Sequence, residues 1–394
     1  MLTKTAPYYR FRNTMTAEFP RFPTLVWRTG VACVAVALVA GCSGPSRPKP
    51  SPLESFTPSQ TVRTAWTARV GAAEGPLTLA VSPGAVTVSS SDGQIVSYDV
   101  GTGRERWRAA VGARLSAAVG SDGQRAAVVT ADNELITLDQ GRITWRERLP
   151  GRVITAPLVA GERVFVQAVD RSVRAYDALD GRWLWNFSRA GSEPLSLAQT
   201  GVLAAFRDTL VTGVGSRLIA LDPVKGSVRF EVSLGLPRGT NEVERLSDLV
   251  GPVARSEDDL CVRSFQLAVG CVNMNRGNLR WSRPNAGFQG LAADESLVVG
   301  ADGADRLTAW RAYSGETVWR VERLQYRGLG TPVMWSGLVA VGDSEGQLHF
   351  LAPQDGRTVA RVSLDSAPSA APRVVDGLLL VSTRSGTLYA FRAP

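Results

Sequence analysis

The chain has 394 residues, with 44 basic and 36 acidic side chains, four cysteines and a single histidine, His349. With one histidine there is no second imidazole for a metal site, and any Ser-His-Asp arrangement would have to recruit His349. The formal charge of +8 is scattered Arg, without a basic block or an aromatic-interleaved patch, which argues against nucleic acid as a partner.

Residues 1–41 read as a signal peptide and are set aside from the fold. Arg21 and Arg28 precede an apolar run, Val31–Val39, that is too short to span a bilayer. The run ends Leu38-Val39-Ala40-Gly41-Cys42, which resembles the bacterial lipobox, with Cys42 as the residue that takes the lipid. Met15 is an alternative start to Met1, since 41 residues is long for a signal. Lys4, Arg10, Arg12, Arg21, Arg28 and Glu18 leave with this segment and remove four of the eight positive charges. Ser43, not Asp, follows Cys42, and by the rule for such lipoproteins that points to the outer membrane. Residues 42–60, rich in Ser and Pro, read as a flexible, lipid-anchored tether.

From residue 61 to 394 one pattern recurs. An apolar residue is followed twelve (once ten) positions later by an aromatic: Ile95–Trp107, Leu135–Trp145, Val173–Trp185, Leu218–Phe230, Val269–Trp281 and Leu307–Trp319. Leu348–Ala360 keeps the spacing without the aromatic, and Leu388 has no partner downstream. Successive copies lie 40, 38, 45, 51, 38, 41 and 40 residues apart. Each holds an Asp/Gly hairpin turn, an alternating strand, a second turn with a glycine (Gly101, Gly181, Gly226, Gly277, Gly315, Gly356) and an outer strand carrying the aromatic. An apolar run precedes each hairpin, often opened by a small residue and proline, as at Ala156-Pro157, Gly251-Pro252, Thr331-Pro332 and Ala371-Pro372.

Four strands per period of about forty residues specify an all-β, eight-bladed propeller of antiparallel blades. Two stacked sandwiches would not repeat at constant spacing. Trp66 supplies the aromatic missing after Leu388, so 61–70 is expected to form the outer strand of the last blade and close the ring.

Cys261 and Cys271 flank one hairpin turn of the fifth blade and are expected to face each other on adjacent strands. Export to an oxidising compartment permits a disulfide between them. The Asp residues at strand ends, Asp99, Asp139, Asp177 and Asp222, recur at one position of the repeat and are expected to stabilise turns rather than hold Ca²⁺. No Gly-x-Ser-x-Gly elbow occurs, and Gly213-Val214-Gly215 lacks the Lys-Ser/Thr of a phosphate loop. No catalytic residue, metal or cofactor is expected.

The two longest spacings are consecutive. They contain 188–200 (SRAGSEPLSLAQT) and 235–248 (GLPRGTNEVERLSD), each between the outer strand of one blade and the inner strand of the next. Both therefore emerge on one face, one blade apart. Leu195 and Leu197 in the first, with Leu236, Arg238, Arg245 and Asp248 in the second, read as apolar anchors with a charged surround, a common build for a protein-binding surface.

The repeat resembles that of the quinoprotein dehydrogenases, but those enzymes are typically longer, and many carry adjacent cysteines beside the cofactor. This chain has no such cysteines and no Cys-x-x-Cys-His. LPRGTNEVERLSD, the hairpin GDSEGQLHFLAPQDGR (342–357) and the lipobox with eight repeats resemble the BamB family, lipoproteins of the β-barrel assembly machine. The resemblance implies a non-enzymatic scaffold on the periplasmic face of the outer membrane. Its partners would be the POTRA domains of BamA and other components of the machine, with unfolded outer-membrane precursors as a further candidate. It implies a contact surface at Leu195, Leu197, Arg245 and Asp248. The chain departs from the family at Ala198, where Arg often stands, and at Val250, where an acid is usual, which shifts weight onto Arg245. A quinoprotein-type dehydrogenase and a glycan-binding propeller are the alternatives. The second would want exposed aromatics in the ring's mouth.

Overall fold

The computed structural model describes residues 48–72, 79–189, 196–197, 199–237 and 239–393. The signal segment, Cys42, Leu195, Ala198 and Arg238 lie outside the described residues.

The described strands form eight four-stranded antiparallel sheets, the blades of one propeller. Seven of them are continuous meanders in which each strand pairs with its sequence neighbours. In the eighth, the strand Arg63–Arg69 pairs with Thr387–Arg392, so the ring closes through the N-terminal segment as the Trp66 pattern predicts. The core lies between neighbouring blades. Val211, Leu218 and Leu234 of blade four, for example, cluster with Leu249, Leu260 and Val262 of blade five.

The recurring aromatic is an interblade joint. Trp185 Nε1 donates to Pro223 O at 3.1 Å, in the last turn of the following blade. Its ring lies on Gly226, where an added Cβ would stand 2.5 Å away, and Gly226 has a φ of +70°. Trp145 with Ala178, Trp281 with Ala312 and Trp319 with Pro353 repeat the bond at 3.1, 2.7 and 2.7 Å. Trp66 bonds Val100 O at 2.8 Å, so the closing joint uses the same device. In the first blade the glycine under the ring is Gly103, not Gly101: only Gly103 adopts a positive φ there and touches Trp66.

Three of the four strand-end Asp residues brace the same turns, while the Asp139 side chain makes no such bond among the described residues. Asp99 Oδ1 accepts from Thr102 N, Asp177 Oδ1 from Leu179 N and Asp222 Oδ1 from Val224 N, each at 2.9 Å. Pro157, Pro332 and Pro372 stand immediately before inner strands. Pro252 instead lies inside Leu249–Ser256, at a register shift between Val250 and Ala254, where a missing donor is tolerated. Cys261 and Cys271 are directly opposite in the ladder, with Cα atoms 4.0 Å apart, and are joined by a disulfide.

Residues 49–60, read from composition as a free tether, are extended but lie along the rim of blade seven. Arg323 Nε donates to Glu54 Oε1 at 2.7 Å, and the Arg361 guanidinium lies 4.9 Å from the Phe56 ring centroid. Ser59 N and Gln60 N both donate to Val359 O. The cations that hold this strap belong to blades distant in sequence, which is why its docking is invisible in its own Ser/Pro composition.

Candidate partner-binding face

In a meander of four antiparallel strands, the connection to the next blade and the turn between the second and third strands leave on the same face. On blades three to five this face carries both long connections and the hairpin turn at Asp170-Arg171-Ser172. Arg171 sits in that turn with a φ of +67°, its side chain only 9% exposed. It reaches across to Asp248, 77 residues later. Arg171 Nε donates to Asp248 Oδ1 at 2.7 Å and Nη2 to Oδ2 at 3.2 Å, a bidentate pair. Leu197 N also donates to Asp248 Oδ2, at 3.0 Å. One carboxylate therefore ties together the Arg171 turn and both long connections.

Further bonds fasten this floor to the blades. Gly201 N donates to Thr155 Oγ1 at 2.9 Å, Gly251 N to Thr200 O at 3.1 Å, and Ser264 Oγ to Ser247 O at 2.6 Å. Val250, the position that departs from the family pattern, is a buried strand residue bridged to Gly201.

Above this floor, 239–246 fold back on themselves. Glu244 N donates to Asn241 Oδ1 at 2.9 Å, and Thr240 N to Glu244 Oε2 at 2.7 Å. That donation from the Thr240 backbone holds the Glu244 carboxyl below its usual range. Arg245 Nε donates to Gly239 O at 3.2 Å, and Arg245 is exposed. At the edge of blade four, Arg189 and Arg217 converge on Glu231. The Arg189 guanidinium, then Arg217, holds that carboxyl low.

The residues singled out in the sequence therefore divide. Arg245 is exposed, as expected of a contact residue. Asp248 faces inward with its side chain 13% exposed, so its role here is to position the connections. Leu197 is half-buried, with its amide held by Asp248, while Leu195 and Arg238 fall outside the described residues. Among the described residues of the two connections, the exposed large apolar groups are Leu236, at 79%, and Val243, at 66%. The sequence reading named Leu236 but missed Val243, which sits in a charged stretch without periodicity. It also missed Arg171, which looked like one more hairpin residue.

The residues considered for catalysis are placed structurally. His349 is fully buried, with Nε2 2.9 Å from Asp343 Oδ2 and Nδ1 accepting from Arg361 Nε at 3.3 Å. Asp343 also pairs with Arg327, whose Nη1 donates to Ser51 O of the strap at 2.8 Å. Among the described residues no group of three or more His, Cys, Asp or Glu side chains is placed to hold a metal ion.

The family model described as outer membrane protein assembly factor BamB matches residues 91–321 and 314–393. The chain belongs to the BamB family. The outer membrane protein assembly factor BamB of Bordetella pertussis is 33% identical to it, over 94% of this chain and 98% of that protein. The factor of the same name from Burkholderia pseudomallei is 34% identical, over 92% and 97%. In fold, the chain is similar to the crystal structure of BamB from Moraxella catarrhalis, with a TM-score of 0.76 at 22% identity, covering 84% of this chain and all of that one. The quinohemoprotein alcohol dehydrogenase of Comamonas testosteroni shares the fold more distantly, with a TM-score of 0.62 at 15% identity over 84% of this chain and 76% of that one. At these identities both likenesses speak to architecture alone.

Proposed function

We propose that this chain is a non-catalytic scaffold of the β-barrel assembly machine that binds the POTRA domains of BamA and assists insertion of barrel proteins into the outer membrane. In this reading residues 1–41 are removed as a signal peptide. Cys42 carries the lipid, the following residues lead to the docked strap, and the ring stands on the periplasmic face. Two curated relatives with which the chain is 33% and 34% identical are named assembly factors, which supports a role in assembly rather than turnover.

The observation that carries the partner site is the convergence on Asp248. Two insertions and a turn from three blades are locked into one platform, and that platform presents Leu236, Val243 and Arg245 outward. A rigid floor lowers the ordering cost of binding, and an apolar pair beside a cation is the usual composition of an anchor patch.

Capture of the full-length protein from detergent-solubilised membranes, followed by mass spectrometry, tests the reading. BamA should co-purify with the wild-type chain. A Cys42→Ala chain should leave the membrane fraction while its purified ring still captures solubilised BamA. A wild-type chain that brings down no component of the machine would refute the proposal.

A further inference from the structure

The axis of the ring contains a cavity of about 370 Å³, within the range of small-molecule sites. Inner-strand residues of several blades line it, among them Val81, Val119, Leu203 and Val253, with Pro157 just before an inner strand. Two arginines enter this apolar wall, Arg255 from blade five and Arg373 from blade eight, and among the described residues no acid lines it. Arg255 has partners, since it donates to Ala205 O and its guanidinium lies 5.8 Å from the Phe206 ring centroid.

Arg373 is different. It opens the inner strand Arg373–Val375, and its side chain makes no hydrogen bond or ion pair with the described residues. Its side chain is partly buried and lines the cavity. Burial lowers its affinity for the proton, and no carboxylate among the described residues offsets that cost. An enclosed cation without a counter-charge is among the more expensive features a fold can carry.

We propose that the axial cavity binds a small organic monoanion, a carboxylate on an apolar body, with its charge on Arg373 and its body against the Val81–Val119–Leu203 wall. A guanidinium accepts a carboxylate bidentately. The apolar wall then favours a carbon chain over inorganic phosphate, which would leave that wall wet. The inference is independent of the partner face, because Thr200 is the one lining residue that belongs to the long connections and the proposed contacts do not use it.

Calorimetry on the purified full chain, with octanoate as the probe, tests it. Octanoate should bind. Octan-1-ol, which keeps the body without the charge, and acetate, which keeps the charge without the body, should each bind at least tenfold more weakly. Arg373→Leu should weaken octanoate at least tenfold and raise the ligand-free melting temperature, because it removes an uncompensated charge. Val81→Trp, which fills the cavity and leaves Arg373 in place, should also abolish binding.

No heat with octanoate at millimolar concentration would overturn the proposal, as would equal binding by Arg373→Leu. A lower melting temperature for Arg373→Leu would equally overturn it, since that would reveal a structural partner for the guanidinium.

Discussion

Two departures of the ring from its own repeat contrast most, one at the joint between blades seven and eight and one on the face of blades three to five. At the first, Ala360 stands where Trp185 or Trp319 would stand in other blades. The recurring Trp docks on the last turn of the following blade, as Trp185 does on Pro223 and Gly226. Blade eight has no such turn, because its outer strand Arg63–Arg69 arrives from the other end of the chain. A Trp at 360 would have nothing to dock on. Instead, Val62 packs against the cluster that holds Ala360, and Ser59 and Gln60 hydrogen-bond to Val359. Closure accounts for this departure completely. On blades three to five nothing comparable applies: the Trp185 joint is intact, yet two connections are lengthened and bound together by a buried ion pair. A departure that closure does not require is the better place to look for function.

The comparison is broken most severely by deleting residues 61–70. Blade eight would lose its outer strand, and the Trp66–Val100 joint would go with it. The expected loss is comparable to the whole stability of an ordinary domain, about 5 kcal/mol or more, with aggregation through the open edge. A melting temperature unchanged from wild type would mean that closure does not depend on this strand.

Asp248→Ala comes next. It removes the carboxylate that Arg171 grips in a largely buried site and frees the Leu197 amide, at a cost of about 3 kcal/mol. Arg171→Met combined with Asp248→Leu should recover part of that loss, because apolar side chains of similar volume replace both members of a largely buried ion pair. Chemical denaturation of the three chains checks both signs. An Asp248→Ala chain as stable as wild type would show that the pair does not hold the platform.

Ala360→Trp sharpens the other side of the comparison. Repeat consensus favours Trp at this position, but the structure predicts a clash with Val62, which packs on the same cluster, and a loss of about 2 kcal/mol by overpacking. A stabilised variant would mean that Val62 moves aside without cost.

The ring was legible because its joints repeat. A residue type needed at one joint is needed at nearly all of them, so period, blade count and the role of Trp66 could be read from spacing alone. The cysteine pairing was legible as a facing position on one hairpin. The floor of the candidate site was not. Arg171 and Asp248 occur once each, two blades and 77 residues apart, and nothing local distinguishes Arg171 from other hairpin residues. The direction in which Asp248 faces also needed the structure, since an acid in a polar loop reads as exposed. The strap was half legible: Pro and Ser made it extended, but its docking depends on Arg323 and Arg361, which its own sequence does not contain.

The smallest expected change in stability belongs to the most informative variant. Leu236→Asp with Arg245→Glu alters two exposed residues of the platform, and its stability should stay within about 0.5 kcal/mol of wild type. The central claim is that the outward side of this platform receives the partner. Titration of the purified POTRA domains of BamA against wild type and this double variant tests it directly, with denaturation midpoints measured in parallel. The account predicts an unchanged midpoint and an affinity at least thirtyfold weaker, the scale of losing an anchor worth about 2 kcal/mol. A double variant that is folded and binds as tightly as wild type would contradict it.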